Sequence, residues 1–312
     1  MEAPVQAEVF GLVEMGSNSL KLYVVPRGAK ADTPIETIKL PWRVAHDLFA
    51  RGSLAAETAE EVVERVREAT RLLDDRRVVG MLAIATGVFR ELPETDALAL
   101  RVREATGVVP RVIGGEDEAS LMARGFRELS IAPPAVMCDL GGASLEWAWM
   151  PERGAGRSGS LSLGAIRNEY LFAHLRSSPE RYLAESTAHC DAALSALPVV
   201  GPARVVATGG TAEALAAVVG RTSVSSVELA EVIARVLGEG PPGTLKPGRQ
   251  AVFLPGLVIL SRVVARAAAA GLEYGTSAVR LGMVRRLIQL LERFPPDELH
   301  ATQLLRMTQA KR

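Results

Sequence analysis

Two short stretches of this chain carry the same ordered set of chemically useful residues. Glu14-Met15-Gly16-Ser17-Asn18-Ser19-Leu20-Lys21 and Asp139-Leu140-Gly141-Gly142-Ala143-Ser144-Leu145-Glu146 both read acid, apolar, Gly, small, small, Ser, Leu, charged. Small residues in a tight turn expose consecutive backbone N–H groups, and Ser and Asn add side-chain donors, so such a turn cradles phosphate oxygens. An acid at the end of the preceding strand can hold a divalent cation, often through water. Gly16, Ser17, Asn18 and Ser19 are therefore candidate phosphate-binding positions, as are Gly141, Gly142, Ala143 and Ser144. Glu14 and Asp139 are candidate metal ligands.

Each turn needs a strand on either side. Val9–Met15 and Leu20–Val25 read as strands around the first turn, and 135–150 reads as strand, turn, strand around the second. Further strands are expected near 35–40, 79–85, 109–113 and 158–163. Helices are expected over 53–73, with Ser53 as N-cap, over 95–105, over 116–129 and from about Ala165. The run 203–218 reads as strand, Gly-Gly turn, helix. The stretch 249–270 reads as helix kinked or broken at Pro255-Gly256, and 278–293 and 298–311 as amphipathic helices. Ala85-Thr86-Gly87 ends a strand 71 residues after Glu14, and Ala207-Thr208-Gly209 ends one 68 residues after Asp139. Two signatures at nearly equal separation predict a duplicated α/β architecture with the phosphate site in the cleft between its halves.

The 312 residues suit two α/β domains. Lys+Arg and Asp+Glu are both 36, so net charge gives no argument for a nucleic-acid or anionic-membrane partner. Cys138 and Cys190 lack metal-ligand spacing and read as buried thiols. The N-terminal stretch lacks the basic and apolar regions of a signal peptide, and apolar runs such as 251–260 are short and interrupted. A cytoplasmic setting is the expectation. His46, His174, His189 and His300 form no pattern.

At these motifs the sequence resembles the exopolyphosphatase and guanosine-pentaphosphate phosphatase family, a branch of the actin, sugar-kinase and Hsp70 superfamily. The similarity runs in order: the first turn, 85-ATGVFRE-91, 113-IGGEDEASLMARGF-126, 138-CDLGGASLE-146, 161-LSLGAIR-167, 208-TGGTAEAL-215 and 278-AVRLGMV-284. The resemblance implies an α/β fold of two duplicated ribonuclease-H-like (actin-like ATPase) domains with an interdomain cleft. The expected domains are 1–125, rejoined by 296–312, and 126–295, with hinges near 120–135. It also implies Mg²⁺-dependent hydrolysis of the terminal phosphoanhydride of inorganic polyphosphate or a guanosine polyphosphate. Glu118 matches the family's catalytic Glu, which orients and deprotonates water, and Arg90 a phosphate-contacting Arg suited to charge developing on phosphoryl oxygens. Asp139 and Glu146 match acids near the metal. Gly209, Gly210 and Thr211 would offer N–H groups at a helix N-terminus.

The chain departs from the family's pattern at several places. Glu14 stands where Asp is usual, and Ala143 where a third Gly is usual. Thr276-Ser277 replaces Asp-Gly, Leu281 a Glu, and Gly248 the acid before Arg249. Two alternatives follow: a non-catalytic sensor of polyphosphate or an alarmone nucleotide, and an ATP-dependent kinase of the same superfamily. Apolar helices near the C-terminus suggest a homodimer.

Overall fold

A computed structural model describes residues 8–29, 35–128, 131–199 and 201–275, with positions 282, 284, 286 and 289 beyond them. The chain forms two compact units, Met1–Ile113 with Met283–Arg312, and Gly114–Gly282. The division precedes the helix Gly115–Glu128 rather than falling near residue 125, because that helix packs on strands of the second unit. Most of the expected helix over 278–293, and all of that over 298–311, lie outside the described residues.

In the first unit, β1 (Val9–Met15), β2 (Ser19–Pro26) and β3 (Glu36–Pro41) form an antiparallel meander. The helices α1 (Val44–Arg51) and α2 (Ala56–Asp74) lead to β4 (Met81–Ala85), which lies parallel to β1. A single 3₁₀ turn, Gly87–Arg90, then α3 (Thr95–Thr106) and β5 (Arg111–Val112), complete a sheet of order β3-β2-β1-β4-β5. Nearly all of β1 is buried, as a central strand covered on both faces must be. The α2 residues Val62, Val63, Val66, Ala69 and Leu73 are buried at helical spacing.

The second unit opens with α4 (Gly115–Glu128), then repeats the plan. Its meander is β6 (Ala135–Leu140), β7 (Leu145–Met150) and β8 (Arg157–Leu161). The helices α5 (Ala165–Phe172) and α6 (Pro179–Leu194) lead to β9 (Arg204–Thr208) and α7 (Gly210–Val219). Then come β10 (Ser223–Ser225), α8 (Ser226–Glu239), α9 (Pro247–Arg266) and β11 (Gly271–Tyr274). The order β10-β11-β9-β6-β7-β8 is the first sheet's order with one edge strand added. Strands β6, β7, β8, β9 and β11 thus correspond to β1, β2, β3, β4 and β5.

The duplication is real, but one matched pair is offset. Glu14 lies beside Ile84 and Asp139 beside Thr208, so by register Ala85 corresponds to Gly209, not Ala207. The Ala-Thr-Gly strings are thus displaced by two residues, which preserves the strand face and so the look of the pattern.

Three local expectations are corrected. The helix α2 starts at Ala56, not after Ser53. The buried Asp47 of α1 takes the capping role, accepting the Ala55 N–H at 3.0 Å and a hydrogen bond from the Thr58 side chain. Pro255 neither kinks the chain to a stop nor breaks it; α9 runs through it. A proline there leaves the Ala251 carbonyl without its helical donor, and Arg176 Nη2 supplies one at 3.2 Å. Unbroken, α9 is long and apolar enough to cross a membrane by length and composition, contrary to the reading of short runs. It is the central core helix of its unit, with α5, α6, α7 and α8 packed on it. The elements α1, α6, α8, β10 and β11 were not read from the sequence.

Candidate functional site

The two turns have the same geometry. Glu14 lies opposite Lys21 and Met15 opposite Leu20, and Gly16 N–H donates to Ser19 O at 3.0 Å. Asp139 lies opposite Glu146 and Leu140 opposite Leu145, and Gly141 N–H donates to Ser144 O at 3.0 Å. Every inner carbonyl of both turns is occupied. Trp42 Nε1 donates to Gly16 O at 2.9 Å, Ala45 N–H to Ser17 O at 3.1 Å and Trp42 N–H to Asn18 O at 3.3 Å. In the second turn Ala165 N–H donates to Gly141 O at 3.0 Å, and Ile166 and Arg167 N–H both reach Gly142 O. Arg167 Nε donates to Ala143 O at 2.9 Å. By contrast, the N–H groups of Ser17, Asn18, Gly142 and Ala143 have no partner among the described residues. A turn with engaged carbonyls and open N–H groups presents positive potential, which is what an anion needs. Ala143 is buried and is not among the residues with positive φ, so alanine is tolerated where a third glycine is usual.

The acids at the strand ends differ between the units. Glu14 is buried, and Oε1 accepts from Lys21 Nζ while Oε2 accepts from Tyr23 Oη, both at 2.7 Å. Burial pushes its carboxyl up, but the Lys21 charge and the hydrogen bonds from Lys21 and Tyr23 outweigh it, with help from Lys39. The net result is a carboxyl below the usual range. Both oxygens are thus engaged within the first unit. Asp139 and Glu146 instead place two carboxylates opposite each other on neighbouring strands, an arrangement that like charge disfavours. Glu146 is 2% exposed and accepts from Ser160 Oγ at 2.7 Å.

Among the described residues no group of three or more His, Cys, Asp or Glu is placed to hold a metal ion. Mg²⁺ needs only one or two carboxylates when phosphate oxygens and water complete its shell. Asp139 and Glu146 fit that requirement; Glu14, committed to Lys21 and Tyr23, does not.

Glu118 sits in the first turn of α4, which is held on β7 and β8. Of the three consecutive acids there, Glu116 and Asp117 are exposed while Glu118 is buried. Arg90 ends the 3₁₀ turn after β4 and is half-buried. That turn is tied to the first loop, since Val88 N–H donates to Ser17 Oγ at 3.2 Å. Ser19, at the start of β2, and Ser144 are buried. The first unit therefore carries Glu14, Gly16, Ser17, Asn18, Ser19 and Arg90. The second carries Glu118, Asp139, Gly141, Gly142, Ala143, Ser144, Glu146, Gly209, Gly210 and Thr211.

Gly209 has φ of 92°, and a Cβ there would fall 2.3 Å from Leu140 O and 2.9 Å from Asp139 Oδ1. Only glycine lets β9 turn this tightly into α7 beside the acid. Thr211 is fully buried in the first turn of α7, its hydroxyl without a partner among the described residues.

Sequence reasoning assigned no role to Arg249, although the structure places it at this turn. Its guanidinium lies over Gly210: a Cβ there would be 2.0 Å from Nη2. It is half-buried, with Glu213 in its electrostatic surroundings but no side-chain hydrogen bond or ion pair among the described residues. Burial lowers its basicity, and Glu213 offsets only part of that effect. A half-buried, unneutralised guanidinium favours an anion beside it. The available signal was its place in the family-like stretch after Gly248.

These features define a duplicated α/β protein of the ribonuclease-H-like, actin-like class, with a turn of engaged carbonyls and open N–H groups in each unit. The chain belongs to the Ppx/GppA phosphatase family, whose model matches residues 25–291. It is 30% identical over 161 residues to exopolyphosphatase 1 of Mycobacterium leprae, covering 50% of this chain and 47% of that protein. It is 32% identical over 163 residues to an uncharacterised protein of Streptomyces coelicolor, covering 52% and 48% respectively. The match thus spans about half the length of each relative. Among solved structures, an exopolyphosphatase-like protein aligns with a TM-score of 0.78 at 21% identity, covering 91% of this chain and 99% of that one. The Aquifex aeolicus family member aligns with a TM-score of 0.71 at 19% identity, covering 91% and 98%. At these identities the structural likeness speaks for the fold.

Proposed function

We propose that this chain hydrolyses the terminal phosphoanhydride of inorganic polyphosphate or of a guanosine polyphosphate such as guanosine pentaphosphate. The observation that carries the reading is the pair of turns with engaged carbonyls and open N–H groups. Phosphate oxygens complement such groups, and the Ppx/GppA membership supplies the reaction class. The N–H groups of Ser17, Asn18, Gly142 and Ala143 bind phosphate oxygens. Arg249 and the α7 N-terminus add positive potential at Gly209–Thr211. Glu118, buried where water is scarce, orients the attacking water and takes its proton. Arg90 stabilises charge on the phosphoryl oxygens. Bound Mg²⁺, held by Asp139 and Glu146, would neutralise phosphate charge. Two free, buried cysteines agree with a reduced, cytoplasmic setting.

The Glu14–Lys21 ion pair favours one second reading, a sensor that binds the phosphate chain without cleaving it. The discriminating measurement is phosphate release from tripolyphosphate, long-chain polyphosphate and guanosine pentaphosphate, with and without Mg²⁺, beside calorimetric affinity. Release in Mg²⁺ that drops about 10³-fold in Glu118→Gln, with affinity kept within about threefold, is the expected result. Tight binding with no release by the unaltered protein selects the sensor. Release by Glu118→Gln at near-normal rate removes Glu118 from the mechanism.

A further inference from the structure

Most donors that hold the turn carbonyls are backbone N–H groups at the starts of α1 and α5, fixed by those helices. Two are side chains. Trp42 Nε1 holds Gly16 O at the first peptide of one turn, and Arg167 Nε holds Ala143 O at the last peptide of the other. A peptide unit is planar, so its C=O and the next N–H point in opposite directions. Fixing Gly16 O fixes the Ser17 N–H, and fixing Ala143 O fixes the Ser144 N–H. Without its clamp either peptide can rotate, turning a carbonyl oxygen toward the anion.

We infer that Trp42 and Arg167 are positioning residues, each keeping one carbonyl of its own phosphate turn pointed away from the anion. This rests on the phosphate-binding reading above. Both side chains are well supported for the task. Trp42 is buried and packs edge-on against Phe89, ring centroids 5.7 Å apart, in the turn that carries Arg90. Arg167 is half-buried in the first turn of α5, and its own N–H engages Gly142 O. The preceding Gly164 lies so close to the second turn that a Cβ there would fall 2.4 Å from Gly142 O. The first turn of α5 and the second loop therefore move as one body.

The test uses the ¹⁵N-labelled full chain with Trp42→Phe, Arg167→Gln and Arg167→Lys. Trp42→Phe keeps an aromatic ring beside Phe89 and removes the indole N–H together with part of the ring's bulk, so a change confined to the Ser17 signal is the signature of the lost hydrogen bond. Without any ligand, Trp42→Phe should shift or broaden the Ser17 amide signal and leave Ser144 alone, while Arg167→Gln does the reverse. Tripolyphosphate affinity should fall roughly fivefold to tenfold in each, the worth of one polar contact. Arg167→Lys should restore part of the loss. Unmoved loop signals overturn the inference whatever happens to affinity, and so do shifts spread over a whole unit. Loop signals that move as expected in a protein that binds no tripolyphosphate support the clamps and overturn the phosphate reading instead.

Discussion

At the scale of single residues, the chain distinguishes two carboxylates that occupy corresponding places in its two units. Glu14 is neutralised internally by Lys21, whereas Asp139 faces the like charge of Glu146. Lys21→Met should leave Glu14 buried without its cation, a loss of about 2 kcal/mol at neutral pH given that Lys21 is partly exposed. The sign of the pH dependence follows from the lowered Glu14 carboxyl. A depressed carboxyl contributes stability above its unfolded value and loses it as pH falls through the folded value. The gap between the two proteins should therefore be widest near pH 7 and narrow in acid, where the variant protonates Glu14. Urea unfolding at both pH values measures it, and an equal gap at both would exclude the ion pair as the cause. The sequence displayed Glu14 and Lys21 as matched members of a repeat. It gave no sign that they bond each other, because the pairing needs the hairpin register.

Among the elements, α9 shows how a helix keeps a proline. Arg176 donates to the orphaned Ala251 carbonyl, pairs with Glu169 and lies over the Tyr182 ring at 5.6 Å. Arg176→Ala should destabilise the second unit by about 1 kcal/mol, the net worth of a typical hydrogen bond, since the Ala251 carbonyl lies on an exposed residue that water can reach. Part of that loss should vanish in a Pro255→Ala background, where residue 255 regains an N–H for Ala251. A double-mutant cycle on urea midpoints checks this, and strictly additive losses would contradict it. Elements with strong local signals were legible: strands around Gly-rich turns, and α2 from its apolar spacing. The start of α8 also carries a local signal. Ser225 and Glu228 form a reciprocal capping box, readable as Ser-x-x-Glu. The short strands β10 and β11 had no such mark, since their pairing partners lie far along the chain.

Across the whole molecule, both thiols lie in the second unit and report on its opening. Burial, with a smaller contribution from Asp139, pushes Cys138 up to about 12, and burial likewise pushes Cys190 up to about 12. A thiol reagent at pH 8 should label the native protein far more slowly than the unfolded chain. Saturating tripolyphosphate should slow labelling further, by the factor its binding adds to the folded state. Rapid labelling of the native protein would contradict the buried core. The sequence by itself determined the duplicated α/β plan, the two turns and the order of their acids. Those depend on local turn chemistry and on a repeat of the turn motif that is readable in the sequence itself. Only the tertiary structure decided which acid is tied into an ion pair, which guanidinium stands at the α7 turn, and which side chains hold the turn carbonyls. Arg176 reaches Ala251 across 75 positions, Trp42 reaches Gly16 across 26 and Arg167 reaches Ala143 across 24. Contacts of that range depend on strand register and helix docking, which no short window of sequence contains.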